Sequence, residues 1–478
     1  MKQKVLLIIP PGFNYNTPPI GLLYIGAMLE QHQIPVGILD AGIEKMDLEA
    51  TYKKVAEINP AIIGISSTTP EYPLVEKFAF LLKKRFPNIP LVLGGPHATL
   101  DPNGVIKAPF IDFAVRGEGE YTFTELCQFL LNKENKNLSD IQGISYCSEG
   151  KNIHNADRPM TDDLDKLPFP ARHLIHHRQY RNYGRVYKQK PVAVMITSRG
   201  CPYQCIFCAH DIFGRKYRFV SARKMVDEIK ILKQKYGVKE IFFREDNFTA
   251  NRKRVSEFCD ILVKEKVNVS WMCLADANSI TEELAYKMKQ AGCWHVAIGV
   301  ESGNQDIQKV LKKNLNLEKV KQVFDSVHKA GLKTLAFFMI GNFADSRKTV
   351  METIRFANSL NTDFATFTIT TPFPNTELYD MAVRDNLITK YDIGQITNNP
   401  SIFKQKAPVL RTRSLTPEQL RKLQLTAIAC FYLRPKQMFR ILKNRYLARA
   451  FVSVEPASYN PNSSIIRQIE QRYDGECS

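Results

Sequence analysis

The sequence has no long hydrophobic run. No apolar stretch approaches the ~18 residues that a membrane-spanning helix needs, and the first one, Val5–Ile9, ends at Pro10 and Pro11 before it reaches the length of a signal-peptide core. We therefore expect a cytoplasmic protein.

Cysteine is also scarce, with 10 residues in a chain of 478. A density of about 2% is far below that of disulfide-built proteins, so clustered thiols are interpreted first as metal ligands. The charged fraction of 24% and the apolar fraction of 44% are ordinary for a globular protein and exclude disordered and collagen-like classes. The unusual value is the net charge of +18, which fits nucleic acid, an anionic membrane, an acidic ligand or a solvated surface.

Residues 1–150 alternate short apolar runs with amphipathic stretches. The continuous runs predict strands that are buried on both faces: Val5–Ile9, 36–39, Ile62–Ser66, Leu91–Gly94 and Phe113–Val115. This rhythm predicts an α/β domain with a doubly wound parallel sheet, in which ligands bind beyond the carboxyl ends of the strands. The candidate binding residues at those ends are Ser66, Gly94, Gly95, Gly117 and Glu118.

The rest of the chain divides into three further regions. Residues 151–190 interrupt the rhythm and predict a linker over the surface, whose histidines His173, His176 and His177 we interpret as solvated or packed. Six apolar runs then alternate with helical patterns, which predicts a partial (β/α)6 barrel over 191–375 with its chemistry at the strand carboxyl ends. Residues 376–478 predict a mainly helical, basic extension. Its stretch 453–464 and the tail that contains Cys477 are predicted to be frayed.

Three cysteines follow the first predicted barrel strand. Cys201, Cys205 and Cys208 have the spacing C-x3-C-x2-C. Three thiolates on one loop can hold three irons of a [4Fe–4S] cube and leave the fourth iron open, whereas a structural zinc or a closed cluster needs four ligands. The alternative is a zinc site with His210 as the fourth ligand.

This motif, with the aromatic Phe207 before its last cysteine, resembles that of the radical S-adenosylmethionine (SAM) enzymes. In that family SAM chelates the open iron and is cleaved reductively to a radical that abstracts hydrogen, so the resemblance implies an electron donor such as flavodoxin or ferredoxin. It also implies SAM contacts after the second, fourth and fifth barrel strands. These candidates are Glu245, Asp246, Glu301, Ser302 and Gly341, and no residue is nominated as a catalytic acid or base.

The N-terminal region resembles the cobalamin-binding-type domain that precedes the barrel in one radical SAM class, which includes hopanoid and bacteriochlorophyll-pathway methylases and the anaerobic magnesium-protoporphyrin ester cyclase. The resemblance lies in the strings at 19–25, 94–97 and 117–120. It implies a cobalamin cofactor. The D-x-H-x-x-G string, whose histidine ligates cobalt in many such domains, does not occur. Either cobalamin binds without that histidine, or the domain has kept the fold and lost the cofactor.

These patterns leave three functions open. The first is cobalamin-dependent methylation of an unactivated carbon, the second is a cyclase, deoxygenase or other redox reaction on the same scaffold, and the third is a basic nucleic-acid-binding protein with a structural zinc. We favour the first, with a small-molecule, lipid or tetrapyrrole-like substrate and no nucleic acid partner.

The positive charge is unevenly distributed. Residues 1–150 hold 13 basic and 16 acidic side chains, whereas residues 401–478 hold 14 and 5. The predicted helix at 436–451 places apolar side chains among basic ones: Met438, Phe439, Leu442, Tyr446 and Phe451. This pattern predicts either peripheral contact with an anionic membrane or a helix that packs on the barrel with a solvated basic face.

Overall fold

The computed structural model describes residues 4–13, 17–132, 137–180, 187–389, 409–443 and 464–477. Within these residues the chain forms a seven-stranded sheet, a six-stranded sheet and a small two-stranded hairpin. The two larger sheets are the N-terminal domain and the barrel that the sequence predicts.

The N-terminal sheet has the strand order β2-β1-β3-β4-β5-β6-β7. Its strands are β1 (Val5–Ile9), β2 (Val36–Asp40), β3 (Ile62–Ser66), β4 (Leu91–Gly94), β5 (Phe113–Val115), β6 (Ile144–Ser148) and β7 (Lys151–His154). Strands β1 to β5 are parallel, in a doubly wound order with its switch point between β1 and β3. The connecting helices are α1 (Ile20–Gln31), α2 (Leu48–Ile58), α3 (Tyr72–Arg85), α4 (Pro96–Leu100), α5 (Pro102–Lys107) and α6 (Gly119–Leu130).

Strands β6 and β7 extend this sheet past residue 150. They form an antiparallel hairpin whose turn, Glu149 and Gly150, has positive φ angles of 50° and 75°. Two residues with positive φ match the right-handed twist of a hairpin, so the chain turns back at this point. The predicted domain boundary therefore falls inside a hairpin, and the sheet continues to His154.

The barrel is a six-stranded, all-parallel sheet of order β15-β14-β13-β12-β11-β8. Its strands are β8 (Val192–Met195), β11 (Glu240–Phe243), β12 (Ser270–Asp276), β13 (Cys293–Glu301), β14 (Lys333–Ile340) and β15 (Phe364–Ile369). The helices between them are α7 (Ala222–Tyr236), α8 (Arg252–Lys264), α9 (Glu282–Gln290), α10 (Gln305–Val310), α11 (Leu317–Lys329) and α12 (Arg347–Ser359). The small hairpin, β9 (Ser198–Arg199) with β10 (Arg218–Phe219), lies between β8 and α7. Six β/α units in an open barrel confirm the predicted fold class.

Side-chain burial separates the two faces of the barrel sheet. Along β14, Ala336 and Phe338 are fully buried on the outer face, whereas Leu335, Phe337 and Met339 are only half-buried. Because successive side chains of a strand point to opposite faces, the half-buried set lies on the concave inner face. The structure thus presents an apolar and partly open surface inside the barrel.

The described residues of the stretch 151–190 are more buried than the predicted surface linker. Leu164, Leu167 and Tyr180 belong to the barrel core, and Arg172 forms a buried ion pair with Glu228 at 2.8 Å. The hydroxyl of Tyr180 donates to the carboxylate of Asp40 at 2.8 Å. The stretch packs here because the two domains leave an apolar seam that it fills. The linker histidines include His173, which lies 2.8 Å from Glu30, and His177, which packs beside Tyr236.

The C-terminal region contains the helices Glu377–Arg384, Pro417–Tyr432, Pro435–Lys443 and Ser464–Cys477. The predicted helix at 436–451 is described as far as Lys443, and residues 444–463 lie outside the described residues. The predicted frayed end is wrong for 464–477, since Ile466 and Ile469 are fully buried in the core of the N-terminal domain. We find no described helix that combines the length and hydrophobicity needed to span a bilayer.

Candidate active site

The predicted cluster cysteines lie on the loop that follows β9. Cys205 is buried, Cys201 is half-buried and Cys208 is exposed, and all three are free thiols. The Cys208 thiol donates a hydrogen bond to Cys205, which lowers the pKa of Cys205. Two adjacent sulfurs and a third on the same short loop fit a three-thiolate site for a [4Fe–4S] cluster.

The zinc alternative has no geometric support. His210 Nε2 lies 3.2 Å from the backbone oxygen of Cys205, so that ring interacts with the loop backbone. Phe207 packs against a small apolar cluster that contains Ile206 and Phe343, and this packing holds the cysteine loop in place.

The acidic pair after β11 divides into a buried and an exposed carboxylate. Glu245 accepts hydrogen bonds from the backbone nitrogen of Thr197 at 2.6 Å and from the hydroxyls of Thr197 and Ser198. It therefore ties the ends of β8 and β11 together and does not face open space. Asp246 is exposed, and its pKa is raised by partial desolvation and by Glu245. Of the two predicted SAM contacts, the structure leaves Asp246 available.

A buried ionic group surrounds Glu301 at the end of β13. A register shift between Gly299 and Glu301 and a left-handed φ of 67° at Glu301 turn its carboxylate towards Lys313. Lys313 Nζ lies 3.8 Å from Glu301 and 3.2 Å from Asp276 at the end of β12. Burial opposes the charge on Lys313, but the two carboxylates raise its pKa. Tyr203, on the cysteine loop, has its pKa raised to about 12 by burial and by Asp276.

The sequence did not predict Lys313 and Asp276 as site residues. Asp276 could have been found, because it ends a barrel strand at the carboxyl edge. Lys313 sits in the segment between α10 and α11 and has no local signal, since its role depends on packing against two distant strand ends.

Two other predicted SAM contacts are packing residues in the structure. Ser302 is fully buried, with its Oγ 3.2 Å from Thr353 Oγ1. Gly341 has a φ of 83°, and a Cβ there would lie 3.0 Å from the side chain of Leu420 in the C-terminal helix Pro417–Tyr432. The backbone nitrogen of Gly341 donates to Asp345 at 3.1 Å. Ser302 and Gly341 thus hold the loops at the strand ends through contacts with α12, the loop before it and the helix Pro417–Tyr432.

An open cleft lies between the two domains, with about 960 Å³ of space free of protein atoms when the solvent at its mouth is included. All five residues that the sequence proposes for the N-terminal domain line it: Ser66, Gly94, Gly95, Gly117 and Glu118. A Cβ on Gly117 would meet no atom within 4 Å, and one on Gly94 would meet only Val115 at ordinary contact distance. Gly94 and Gly117 therefore leave room that a side chain would fill, which suits a large cofactor such as cobalamin.

His97 does not line this cleft. Its ring stacks on Tyr72 at 3.9 Å, and its Nδ1 lies 3.3 Å from Thr69 Oγ1. The structure thus places this histidine in the domain core. Cobalamin held in the cleft would have no ligand from His97, in agreement with the absence of the D-x-H-x-x-G string.

An ionic network joins the cleft to the cysteine loop. Arg199 bridges Glu118, at 3.1 Å, and Glu120, and Arg218 lies 2.7 Å from Glu118. Burial disfavours the charge on Glu118, but the two arginines keep its pKa low. Both glutamates and Arg199 line the cleft, so the network belongs to the wall of the candidate site.

Comparisons with known proteins agree with this architecture. Residues 195–357 match the radical SAM superfamily, and residues 12–127 match the B12 binding domain family. An uncharacterised methyltransferase of Pyrococcus horikoshii is 34% identical over 92% of this chain and 94% of its own length. The anaerobic magnesium-protoporphyrin IX monomethyl ester cyclase of Rubrivivax gelatinosus is 29% identical over 76% of this chain, which spans 66% of the cyclase.

Solved structures share the fold. The cobalamin-dependent SAM radical enzyme OxsB superposes with a TM-score of 0.72 at 16% identity, covering 100% of this chain and 79% of OxsB. The radical SAM methyltransferase TsrM of Kitasatospora setae gives 0.69 at 17% identity, covering 92% and 90%.

The chain belongs to the radical SAM enzymes that carry an N-terminal cobalamin-binding domain. Its cofactors are a [4Fe–4S] cluster, SAM and cobalamin, and its chemistry is that of the radical SAM enzymes.

Proposed function

We propose that this enzyme methylates an unactivated carbon of a tetrapyrrole-like small molecule that carries an acidic group. The observation that carries the proposal is that the cysteine loop and the glycine-lined cleft share one wall, in which Arg199 stands two residues before Cys201. When bound, the cluster with SAM supplies hydrogen abstraction and cobalamin supplies the methyl group. The substrate carbon must therefore lie where both sites open, at the carboxyl ends of the barrel strands.

The chain's own residues have defined tasks in this proposal. Cys201, Cys205 and Cys208 would hold the cluster, and the exposed Asp246 would bind the amino group of SAM. Lys313 holds the carboxylates of Asp276 and Glu301 in place, so that Glu301 could accept hydrogen bonds from the ribose of SAM. No residue needs to gain or lose a proton in these tasks, which agrees with the absence of a nominated acid or base.

The inner face of the barrel supports an apolar substrate body. Phe337 and Met339 on β14 are half-buried on this face. On β11, Phe242 is also half-buried, whereas the next residue, Phe243, is buried and points to the opposite face of the sheet. An apolar surface excludes water and suits a flat hydrophobic ring system.

Arg244 supports the acidic group. It follows Phe243 at the end of β11, on the same face as Phe242 by strand alternation. Among the described residues, its side chain makes one hydrogen bond, to Thr17 Oγ1 at 3.4 Å, and pairs with no carboxylate. Burial lowers its pKa, and no described carboxylate offsets that shift. An acidic group of the substrate would supply that charge.

The names of several relatives include tetrapyrroles, namely the cyclase and two bacteriochlorophyllide d methyltransferases of Chlorobaculum tepidum. The cyclase similarity, which spans 76% of this chain, also keeps a second function open. In that alternative the same scaffold closes a ring or carries out another redox reaction without methyl transfer.

A product-mass experiment separates the two. The anaerobically reconstituted enzyme, supplied with reductant, hydroxocobalamin and methyl-labelled SAM, is incubated with magnesium-protoporphyrin IX monomethyl ester and with protoporphyrin IX. We expect a product that has gained one labelled methyl group. An unlabelled, oxidised product would favour the cyclase-type reaction, and no product from either probe would overturn the tetrapyrrole proposal.

Two variants anchor this experiment. Cys205→Ala should lose the brown chromophore and all formation of 5′-deoxyadenosine, because two thiolates cannot hold the open cube. Cys147→Ala, at an exposed thiol in the N-terminal sheet, should retain both. Persistent 5′-deoxyadenosine in Cys205→Ala would show that the cluster assignment is wrong.

Two partners complete the proposal. We propose that a flavodoxin or ferredoxin reduces the cluster, and the exposed Arg215 and Lys216 beside the cysteine loop would attract such an acidic donor. We also propose peripheral contact with anionic lipid through the helix Pro435–Lys443, on which Phe439 and Leu442 are exposed.

A further inference from the structure

The ionic network between the domains is nearly closed to water. The side chains of Arg199, Glu118, Glu120 and Arg218 are exposed by 9%, 4%, 6% and 1%. Glu118 also accepts a hydrogen bond from the backbone nitrogen of Thr161 at 2.8 Å. Charges this deeply buried are strongly destabilising once a partner is lost, so the network holds its members in one arrangement.

The network connects the cobalamin cleft to the cysteine loop. Ion pairs join Glu118 and Glu120 to Arg199, and the backbone then leads from Arg199 to Cys201. Glu118 and Glu120 belong to the N-terminal domain and line the cleft. Arg199 ends β9, and only Gly200 separates it from Cys201. The guanidinium of Arg199 is thus bonded to the cleft wall while its backbone leads directly into the cysteine loop.

The backbone between Arg199 and Cys201 has little freedom. Gly200 has a φ of 79°, and a Cβ there would lie 2.4 Å from the backbone oxygen of Lys216. The backbone of Arg199 lies opposite that of Arg218 in the antiparallel β9–β10 hairpin. The side chain of Arg218 forms an ion pair with Glu118. A displacement of Arg199 must therefore move the start of the cysteine loop as well.

We infer that Arg199 is a positioning residue that couples occupation of the cobalamin cleft to binding of SAM. The inference rests on the proposed use of both cofactors by this chain. Arg199, Glu118 and Glu120 line the cleft, so a ligand there excludes the little water that still reaches them and strengthens the attraction of the two carboxylates to Arg199. The strengthened bridge favours the arrangement of the cysteine loop that binds SAM, and by linkage SAM must strengthen cobalamin binding by the same factor.

The test measures binding without turnover. The enzyme is reconstituted with its cluster and kept oxidised, and the Kd of SAM is measured by equilibrium dialysis with and without saturating hydroxocobalamin. We expect cobalamin to tighten SAM binding about 5-fold or more in the wild-type enzyme, at the lower end of measured coupling energies. In Arg199→Gln we expect the two Kd values to be equal. The reciprocal titration, hydroxocobalamin absorbance with and without SAM, should give the same factors.

The chain offers a matched control. Arg172 and Glu228 form an ion pair with side chains exposed by only 4% and 7%, and neither residue lines the cleft. Arg172→Gln removes an equally buried pair, so its loss of thermal stability should resemble that of Arg199→Gln. Its coupling factor should nevertheless stay at the wild-type value.

Further variants protect the test against misfolding. Arg199→Lys keeps one charge but cannot bridge two carboxylates, and Glu120→Gln removes one charge with its shape retained, so both should give intermediate coupling. The inference is overturned if hydroxocobalamin does not change the Kd of SAM in the wild-type enzyme. It is also overturned if Arg199→Gln keeps the full wild-type coupling. Should Arg199→Gln fail to bind its cluster, full coupling in Glu120→Gln would overturn the inference instead. Coupling without any methylated product would overturn the proposed function alone.

Discussion

Lys313 Nζ lies 3.2 Å from a carboxylate oxygen of Asp276, at the edge of the barrel where the strands end. Glu301 lies 3.8 Å from the same ammonium group. Burial and the neighbouring Asp276 raise the pKa of Glu301, and Lys313 opposes that shift. One lysine therefore binds two carboxylates at the candidate SAM site.

Replacing this lysine should damage the site. Lys313→Met leaves Asp276 and Glu301 without a cation, which destabilises a buried pair by ~3–5 kcal/mol. We expect SAM affinity to fall at least tenfold and the thermal midpoint to drop. Lys309→Met is the control, because its pair with Asp306 is solvent-exposed and contributes little. Wild-type SAM affinity in Lys313→Met would contradict this role.

Filling the cleft should weaken cobalamin binding. Gly94 has no positive φ, so Gly94→Ala adds a methyl group to the cleft wall without backbone strain. We expect a weaker Kd for hydroxocobalamin, measured by visible absorbance, with an unchanged far-UV spectrum. The matched control is Gly37→Ala in β2, where the added Cβ would meet the flexible end of Lys4 and, at ordinary contact distance, Leu6. This variant should bind hydroxocobalamin normally. Equal affinities would place cobalamin elsewhere.

His97 should make the N-terminal domain sensitive to acid. Burial lowers its pKa to about 4 from 6.5, so the unfolded chain binds more protons than the folded chain between these values. The free energy of unfolding should therefore fall as the pH drops through this window, by about 1.4 kcal/mol per unit and about 3 kcal/mol in all. His97→Phe keeps a ring against Tyr72 and should flatten the dependence, measured by denaturant unfolding at both ends of the window.

The exposed His32 of the same domain is the comparison for this effect. His32→Gln should retain the full wild-type slope. An unchanged slope in His97→Phe would show that other groups cause the acid sensitivity.

The helix Pro435–Lys443 should carry any membrane contact. Gln437 and Arg440 bond to backbone oxygens of the barrel, while Phe439 and Leu442 are exposed by 60% and 82%. We expect co-sedimentation with anionic vesicles at low salt, and its loss in the double variant Phe439→Ser with Leu442→Ser. Val263→Ser, at an exposed apolar residue of α8, should bind as the wild type does. Absence of wild-type binding would remove the membrane contact.

Much of the fold follows from local sequence pattern. The continuous apolar runs place β1, β3, β4 and β5 at their observed bounds, because strands buried on both faces need apolar residues throughout. The hairpin of β6 and β7 was missed, since its short, half-exposed strands carry a weak pattern. The docked helix Ser464–Cys477 was missed because its burial depends on a surface of the distant N-terminal domain.

The sequence by itself determined the class of chemistry. Cys201, Cys205 and Cys208 are close along one loop, and their spacing alone limits what they can bind. The glycines of the cleft likewise follow from strand ends that a regular rhythm predicts. Such features are local, so the chain encodes them within a few residues.

Only the tertiary structure decided which carboxylates face the site. Glu245 and Asp246 are adjacent in sequence, yet one is consumed by Thr197 and Ser198 and the other is exposed. Lys313 acquires its task from two strand ends, and Arg199 from a domain that precedes it by some eighty residues. The direction of a side chain and its partners depend on packing between distant segments, which no local pattern contains.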